Sequence, residues 1–273
     1  CSDGVLSPAG LVAAAAARGV ELLALTDHDT SRGCEAARRA CLAAGMRFID
    51  GVELTSLWRG REIHVIGLDL DPAHAPFQAH CAAVIELRRT RILAIAQQLT
   101  RAGLPGDSLA AQALKFHAPT RAHLARALCG LGLAKDMQAA FDRWLKRGRP
   151  GHVPAAWPAL AIAVQRIVAA GGLPVLAHPH RYPVSSGVLG ELVSEFKTAG
   201  GRGIEVSVAG MSPAQADRSA TLARRYDLAG SIGSDFHEPG LAWRPLGRFA
   251  KLADRITPIT TLLAAVATGR SQG

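Results

Sequence analysis

Val20-Glu21-Leu22-Leu23-Ala24-Leu25-Thr26, followed at once by Asp27-His28-Asp29, is the stretch on which the fold turns. It is a Leu-rich run short enough for a buried parallel strand, it follows an Ala-rich helix that begins after Pro8, and acid and imidazole groups stand at its end. An open doubly wound sheet would place a Gly-rich phosphate loop after its first strand, and Thr26-Asp27-His28-Asp29 is no such loop. The arrangement recurs downstream. Gly51-Val52-Glu53, Ile63-His64-Val65, Ala177-His178-Pro179 and Ser234-Asp235-Phe236-His237 each lie at or just past the end of an apolar run, and Ser2-Asp3-Gly4 opens the chain. A β/α barrel collects its catalytic groups from strand ends that emerge on one face, so the pattern predicts an α/β barrel with a site built from many strands.

Outward from that strand, the sequence predicts a helix over about 32–44, strands over 48–53 and 62–70, and a change of pattern after Asp71-Pro72. Val84, Leu87, Ile92, Ile95 and Leu99 then recur at helical spacing, with arginines on the other faces. A second helix follows Pro119 with Thr120 as its N-cap, and a third covers about 136–145. Residues 83–150 therefore read as a helical insertion in the barrel, closed by Lys146-Arg147-Gly148-Arg149-Pro150-Gly151, while 1–82 and 151–273 form the barrel. Beyond it, helices over about 158–170, 188–199, 213–228 and 259–268 alternate with strands over 173–177, 203–208 and 230–233. Alternating β and α units with Gly at the helix exits predict a parallel sheet closed as a barrel.

At 273 residues, the chain has room for one large barrel carrying an insertion. Apolar residues make up 49% and aromatics only 5%, so the core is mostly Ala, Leu and Val. No apolar run approaches the ~20 residues of a membrane helix, and no basic segment leads into an apolar stretch at the start, so a soluble, cytoplasmic protein is expected. The five cysteines, Cys1, Cys34, Cys41, Cys81 and Cys129, form no Cys-x-x-Cys pair and read as reduced and structural. A formal charge of +9 suits a polyanionic partner, although the excess of Arg over Lys among many Ala, Gly and Pro residues also fits coding bias.

Strand-end His, Asp and Glu without thiolates point to hydrolysis assisted by several metal ions, and such ligands suit manganese, iron or zinc. A lone Asp or His in a loop is usually solvated or capping; Asp27 or Asp29 would cap the following helix, and Ser2-Asp3-Gly4 is also ordinary turn chemistry. The joint set His28, Glu53, His64, His178, Asp235 and His237 outweighs that reading. His74, His80 and His117 lie outside any motif and read as surface or core histidines.

These clusters, with Leu6-Ser7-Pro8, Thr120-Arg121-Ala122-His123-Leu124-Ala125-Arg126 and Gly148-Arg149-Pro150-Gly151 in the same order, resemble the polymerase and histidinol phosphatase (PHP) superfamily over nearly the whole chain. Within it the similarity is to bacterial 3′,5′-nucleotide bisphosphate phosphatases that also act as 5′-to-3′ exoribonucleases. The resemblance implies a distorted (βα)7 barrel holding three divalent ions, manganese foremost. Asp3, His28 and His237 would hold one ion, Glu53 would bridge two, His64 and His178 would complete the second, and Asp235 would serve the third. The family also has a His-x-His strand a few residues before Ser-Asp-Gly, whereas this sequence starts at Cys1, which suggests a fragment lacking its first strand.

Arg121, His123 and Arg126 fall in the first turns of a helix whose N-terminus favours anions, and with Arg149 and Arg181 they would grip the non-scissile phosphate and the nucleotide. The competing reading for each is a solvated basic face. Where the family usually has Gly-Arg-Tyr after Ala-His-Pro, this chain has His180-Arg181-Tyr182, and His152 stands where a Tyr is usual. The expected substrates are nucleoside 3′,5′-bisphosphates and short 5′-phosphorylated RNA, with His28, Glu53, Asp235 and Arg181 serving the chemistry. The alternatives are a histidinol-phosphatase-like phosphomonoesterase and a nucleotide- or RNA-binding fragment without turnover.

Overall fold

The computed structural model of the chain describes residues 2–240 and 244–263. Helix α1 (Pro8–Ala16) leads to β1 (Leu22–Leu25), and α2 (Cys34–Ala43) to β2 (Arg47–Trp58) and β3 (Arg61–Leu68). Four helices follow without a strand: α3 (Ala75–Arg101), α4 (Gly106–Ala113), α5 (Arg121–Gly130) and α6 (Met137–Ala140), the last running on into a π-helical turn at Phe141–Leu145. Alternation then resumes through α7 (Leu160–Ala169), β4 (Leu173–Leu176), α8 (Ser186–Thr198), β5 (Gly203–Val208), α9 (Pro213–Arg225) and β6 (Ala229–Gly233). Residues 259–263 are helical, and the remainder of the helix expected over 259–268 lies outside the described residues, as does Cys1.

Among the described residues, six strands form one sheet in the order β1-β2-β3-β4-β5-β6, curled into a half-barrel. This is the distorted α/β barrel expected, but the sheet is mixed rather than parallel. β1 and β2, β4 and β5, and β5 and β6 pair parallel, whereas β3 is antiparallel to both β2 and β4. The reason is local. Arg59 and Gly60 alone join β2 to β3, with φ of 47° and 74°, the left-handed pair of a tight hairpin turn that matches strand twist. Two residues cannot span a parallel crossover, which requires a dozen or more.

Two cores organise helices α3 to α9, and a third cluster packs α1 and α2 on β1 through Val12, Ala15, Leu23, Ala37 and Cys41. Val52, Leu54, Ile63, Val65, Leu176, Ile204 and Val206 of the sheet are buried against Ile167 of α7, Leu192 and Phe196 of α8 and Leu222 of α9. A second cluster, with Ile92, Ile95, Leu99, Leu109, Leu124, Leu128 and Leu145, lies within α3 to α6 and the π-helical turn. Helix α3 joins them: Phe77 and Cys81 belong to the first core, Ile92 to Leu99 to the second. It starts at Ala75, eight residues before the helical insertion expected from 83, and its 27 residues span about 40 Å. Cys34, Cys41 and Cys81 are buried and free, and Cys129 is half-buried and free.

Close contact of β1 with β2 depends on Gly51, where a Cβ would meet Thr26 Cγ2 at 2.7 Å and the Leu25 carbonyl at 2.8 Å. A cavity of about 440 Å³ opens between the inner faces of β1 and β6, apolar where Leu23, Leu25, Ile66 and Ile232 line it and polar where it meets His28, Glu53 and Asp235. No helix among the described residues is long and apolar enough to cross a membrane.

Candidate metal centre

The polar end of that cavity gathers His28, just past β1, His178 and Asp235, just past β4 and β6, and Glu53, which with its neighbour His64 lies within β2 and β3 and not at the strand ends expected. His28 extends β1 by a bridge to Glu53, locked by Asp29 N–H donating to the Glu53 carbonyl and Glu53 N–H donating to the Asp27 carbonyl, each at 3.0 Å. Glu53 pairs with Ile66 across β2 and β3, and His64, two residues from Ile66, projects from the same face. His178 and Asp235 follow β4 and β6 with φ of 30° and 47°, and Asp29 has φ of 52°. Left-handed backbone at non-glycine residues costs about 1–3 kcal/mol each and persists where surroundings over-determine it. At His178 the surroundings include Glu205, whose Oε2 accepts the His178 N–H at 2.6 Å.

Glu53 is the hub. Its Oε1 lies 2.9 Å from His64 Nδ1 and 3.0 Å from His178 Nε2, and its Oε2 lies 3.6 Å from His28 Nδ1. On the far side of His28, His237 Nε2 is 3.6 Å from Asp3 Oδ1. Two triads, Asp3-His28-His237 and His28-Glu53-His64, each offer ligand atoms within 4.8 Å of one another. The donor set fits a divalent cation: His28 Nδ1 is buried without a hydrogen-bond partner, and the acceptors are imidazole nitrogens and carboxylates. A proton on His237 Nδ1, which lies 2.9 Å from the Asp235 carbonyl, would leave Nε2 free to face Asp3.

The electrostatics agree. Burial opposes ionisation of Asp3 and Glu53, yet the histidines around them hold both carboxyls well below the usual range, His28 and His237 for Asp3 and His28 and His64 for Glu53. Burial disfavours charge on His64 too, but Glu53 and Glu62 push its pKa up to about 10. Glu205 goes the other way: burial, then the charge of Asp235, raises it to about 8. Burial also lowers His178, in spite of Glu53.

Asp27 and Asp29 are not helix caps, since α2 is preceded by Gly33 with no side-chain cap. The Asp27 carboxylate accepts the N–H and hydroxyl of Ser2 at 2.9 and 2.7 Å, which sets the neighbouring Asp3 in place. Asp29 is fully buried and accepts from Thr55 N–H at 2.7 Å, Thr55 Oγ1 at 2.9 Å and Arg88 Nε at 2.7 Å.

Of the arginines named from sequence, Arg181 reaches the centre and pairs with Asp235. Arg121 lies 3.7 Å from Glu62, beside His64, and Arg126 lies 3.6 Å from Glu238. His123 is buried: its Nδ1 accepts the Thr120 N–H at 2.9 Å and its ring stacks on Phe116 at 3.9 Å, so it completes the cap of α5. Thr120 Oγ1 in turn donates to Asp3 at 3.2 Å. Arg149 is exposed and lines a separate open groove of about 680 Å³ with Lys135 and Arg143.

Three residues escaped the sequence reading. Glu62 stands two positions before His64 on β3, a spacing that signals a shared face. Glu205 is an acid within a wholly buried strand. Arg244 carries no signal at all: its Nη1 comes from a loop to lie 3.3 Å from Asp235 Oδ2 and 3.1 Å from His237 Nδ1.

Clustered carboxylates and imidazoles from within and just past the strands of a half-barrel, flanked by arginines, define the class as a metal-dependent phosphoesterase. No family model matches the chain. It is 40% identical over 258 residues to a 5′-3′ exoribonuclease of Haemophilus influenzae, covering 94% of each, and 38% identical over 260 residues to a 3′,5′-nucleoside bisphosphate phosphatase of Chromobacterium violaceum, covering 94% of this chain and 91% of that one. Among solved structures, a Chromobacterium violaceum amidohydrolase with bound sulfate and no metal superposes with a TM-score of 0.91 at 37% identity, over 97% of this chain and 93% of that one. A metal-dependent phosphoesterase of Bifidobacterium adolescentis superposes with a TM-score of 0.82 at 26% identity, over 97% and 92%. The chain belongs to the family of the bacterial 3′,5′-nucleoside bisphosphate phosphatases and 5′-3′ exoribonucleases.

Proposed function

We propose that this chain hydrolyses the 3′-phosphate of nucleoside 3′,5′-bisphosphates, giving the nucleoside 5′-phosphate and inorganic phosphate, and degrades short 5′-phosphorylated RNA in the 5′-to-3′ direction. The observation that carries the reading is the convergence of His28, His64 and His178 on Glu53, with Asp3 and His237 on the far side of His28 and Arg181 and Asp235 at the rim. In both reactions the bond from phosphorus to a 3′-oxygen breaks and water supplies the oxygen that replaces it, so one site serves both. On RNA the nucleoside 5′-phosphate leaves and the shortened strand keeps a 5′-phosphate for the next cycle.

Asp3, His28 and His237 would hold one divalent ion, Glu53, His64 and His178 a second, and Asp235 with Glu53 a third, with manganese the first choice. Such ions lower the pKa of water towards neutrality and polarise phosphoryl oxygens. Arg181 balances charge on the equatorial oxygens of the scissile phosphate. Arg121, at the root of α5, faces the rim beside His64 and takes the second phosphate, with Arg126 following on the same helix beside Glu238. Buried His123 holds the N-terminus of α5 in place for that contact.

The test is release of phosphate and AMP from adenosine 3′,5′-bisphosphate with added manganese, with histidinol phosphate in parallel. Turnover of the bisphosphate is expected. Release from histidinol phosphate alone would overturn the nucleotide reading in favour of the other phosphatase.

A further inference from the structure

We infer that Glu62 is a positioning residue that aligns the metal-facing imidazole of His64 and the substrate-facing guanidinium of Arg121 as one unit. The inference rests on the phosphoesterase reading above and adds to it a residue that neither binds metal nor touches substrate. The Glu62 carboxylate lies where four parts of the chain meet. Its Oε2 accepts Trp157 Nε1–H at 2.7 Å and Arg91 Nη1–H at 3.2 Å, and its Oε1 faces His64 Nε2 at 3.6 Å and Arg121 Nη2 at 3.7 Å. Those groups come from β3, α3, α5 and the segment before α7.

Each contact has a separate consequence. A proton on His64 Nε2, turned towards Glu62, leaves the lone pair of Nδ1 aimed at Glu53, 2.9 Å away, as a metal-ligating imidazole requires. Arg121 is drawn to the same oxygen, so the α5 cation and the β3 ligand share one anchor. The anchor itself is stiff. Arg91 also donates to the Val153 carbonyl, at 3.3 Å through Nε and 3.2 Å through Nη2. The buried Trp157 ring has the guanidiniums of Arg88 and Arg91 each 5.2 Å from its centroid.

The four partners are all donors, with His64 in that tautomer, and only a carboxylate offers acceptors in both directions. Glutamine at this position has one acceptor oxygen, and its NH2 must face either the Trp157 and Arg91 pair or the His64 and Arg121 pair. Glu62→Gln therefore tests the role with almost no change of volume, and Glu62→Asp keeps the charge but withdraws it by one methylene.

Manganese binding to the full chain is measured by calorimetry, together with KM and kcat on adenosine 3′,5′-bisphosphate and on adenosine 3′-monophosphate, which lacks the second phosphate. Glu62→Gln is expected to weaken manganese binding by roughly 10- to 100-fold and to raise KM for the bisphosphate more than for the monophosphate, with Glu62→Asp intermediate. A folded Glu62→Gln chain whose manganese affinity and KM ratio both stay within about twofold of the parent overturns the inference. If Glu62→Gln does not fold, Trp157→Phe, which removes one donor from Oε2, decides: unchanged manganese affinity overturns the role and weakened affinity supports it. If the parent cleaves none of the phosphoesters yet Glu62→Gln still loses manganese affinity, the proposed function falls and the role of Glu62 stands. If the parent turns over and Glu62→Gln matches it in both readouts, the reverse holds.

Discussion

Single residues carry the clearest chemistry. Glu53 presents one oxygen to two imidazoles and the other to a third, so Glu53→Gln removes the charge on which the His28-Glu53-His64 site depends. Phosphate release from the bisphosphate is expected to fall by at least roughly 100-fold and manganese affinity with it; a variant retaining parental turnover would exclude Glu53 from the centre. His123 makes a pH prediction. Burial, opposed by Asp3, lowers its folded-state pKa from 6.5 to about 4, so between those values the unfolded chain binds a proton that the folded chain does not. Stability from His123 is thus full above about 6.5 and is lost as pH falls through 4. Urea unfolding of the metal-free chain should weaken over that window, and His123→Asn, which keeps an acceptor for the Thr120 N–H, should flatten the slope. Equal slopes in the two chains would show that His123 does not contribute.

At the scale of elements, α3 is the part that relates the insertion to the sheet. It pins itself through Arg88 to Asp29, next to His28, and one turn on through Arg91 to Glu62, two residues from His64. Arg88 is 6% exposed and Asp29 not at all, so Arg88→Met strands a carboxylate in the interior. A loss of about 3–5 kcal/mol in unfolding free energy is expected. The double variant Arg88→Met with Asp29→Asn removes both charges and should recover part of that loss, a coupling that a denaturation cycle reads directly. Additive effects would show that the pair does not act as one. Elements are also where the sequence reading went astray: alternating β and α units suggested parallel strands throughout, yet Trp58-Arg59-Gly60-Arg61 already held a two-residue hairpin turn.

For the molecule as a whole, the centre joins β1, β2, β3 and the segments after β4 and β6, so ions bound there tie distant parts of the chain together. Manganese should raise the thermal unfolding midpoint and chelation should reverse the gain, by about 2.7 kcal/mol at a free concentration 100-fold above Kd. A midpoint indifferent to manganese would argue against a site formed only in the folded state.

What the sequence determined by itself is the set of His, Asp and Glu clusters that the fold brings together and the run of helices between β3 and β4. A strand that ends on His, Asp or Glu advertises both a buried run and the group it delivers, and Thr120 and the apolar spacing of α3 are local signals. His28, His178 and Asp235, just past β1, β4 and β6, were legible for that reason, and the fold brings Glu53 and His64 beside them from within β2 and β3. Tertiary structure alone decided the rest: that β3 runs against both its neighbours, that His123 turns inward to cap its helix while Arg149 lines a separate groove, and that Arg244 reaches Asp235 from a loop. It also made Asp29 and Glu62 struts for the centre. A long side chain from a loop or helix meets its partner across space, at a distance and direction that no spacing along the chain encodes.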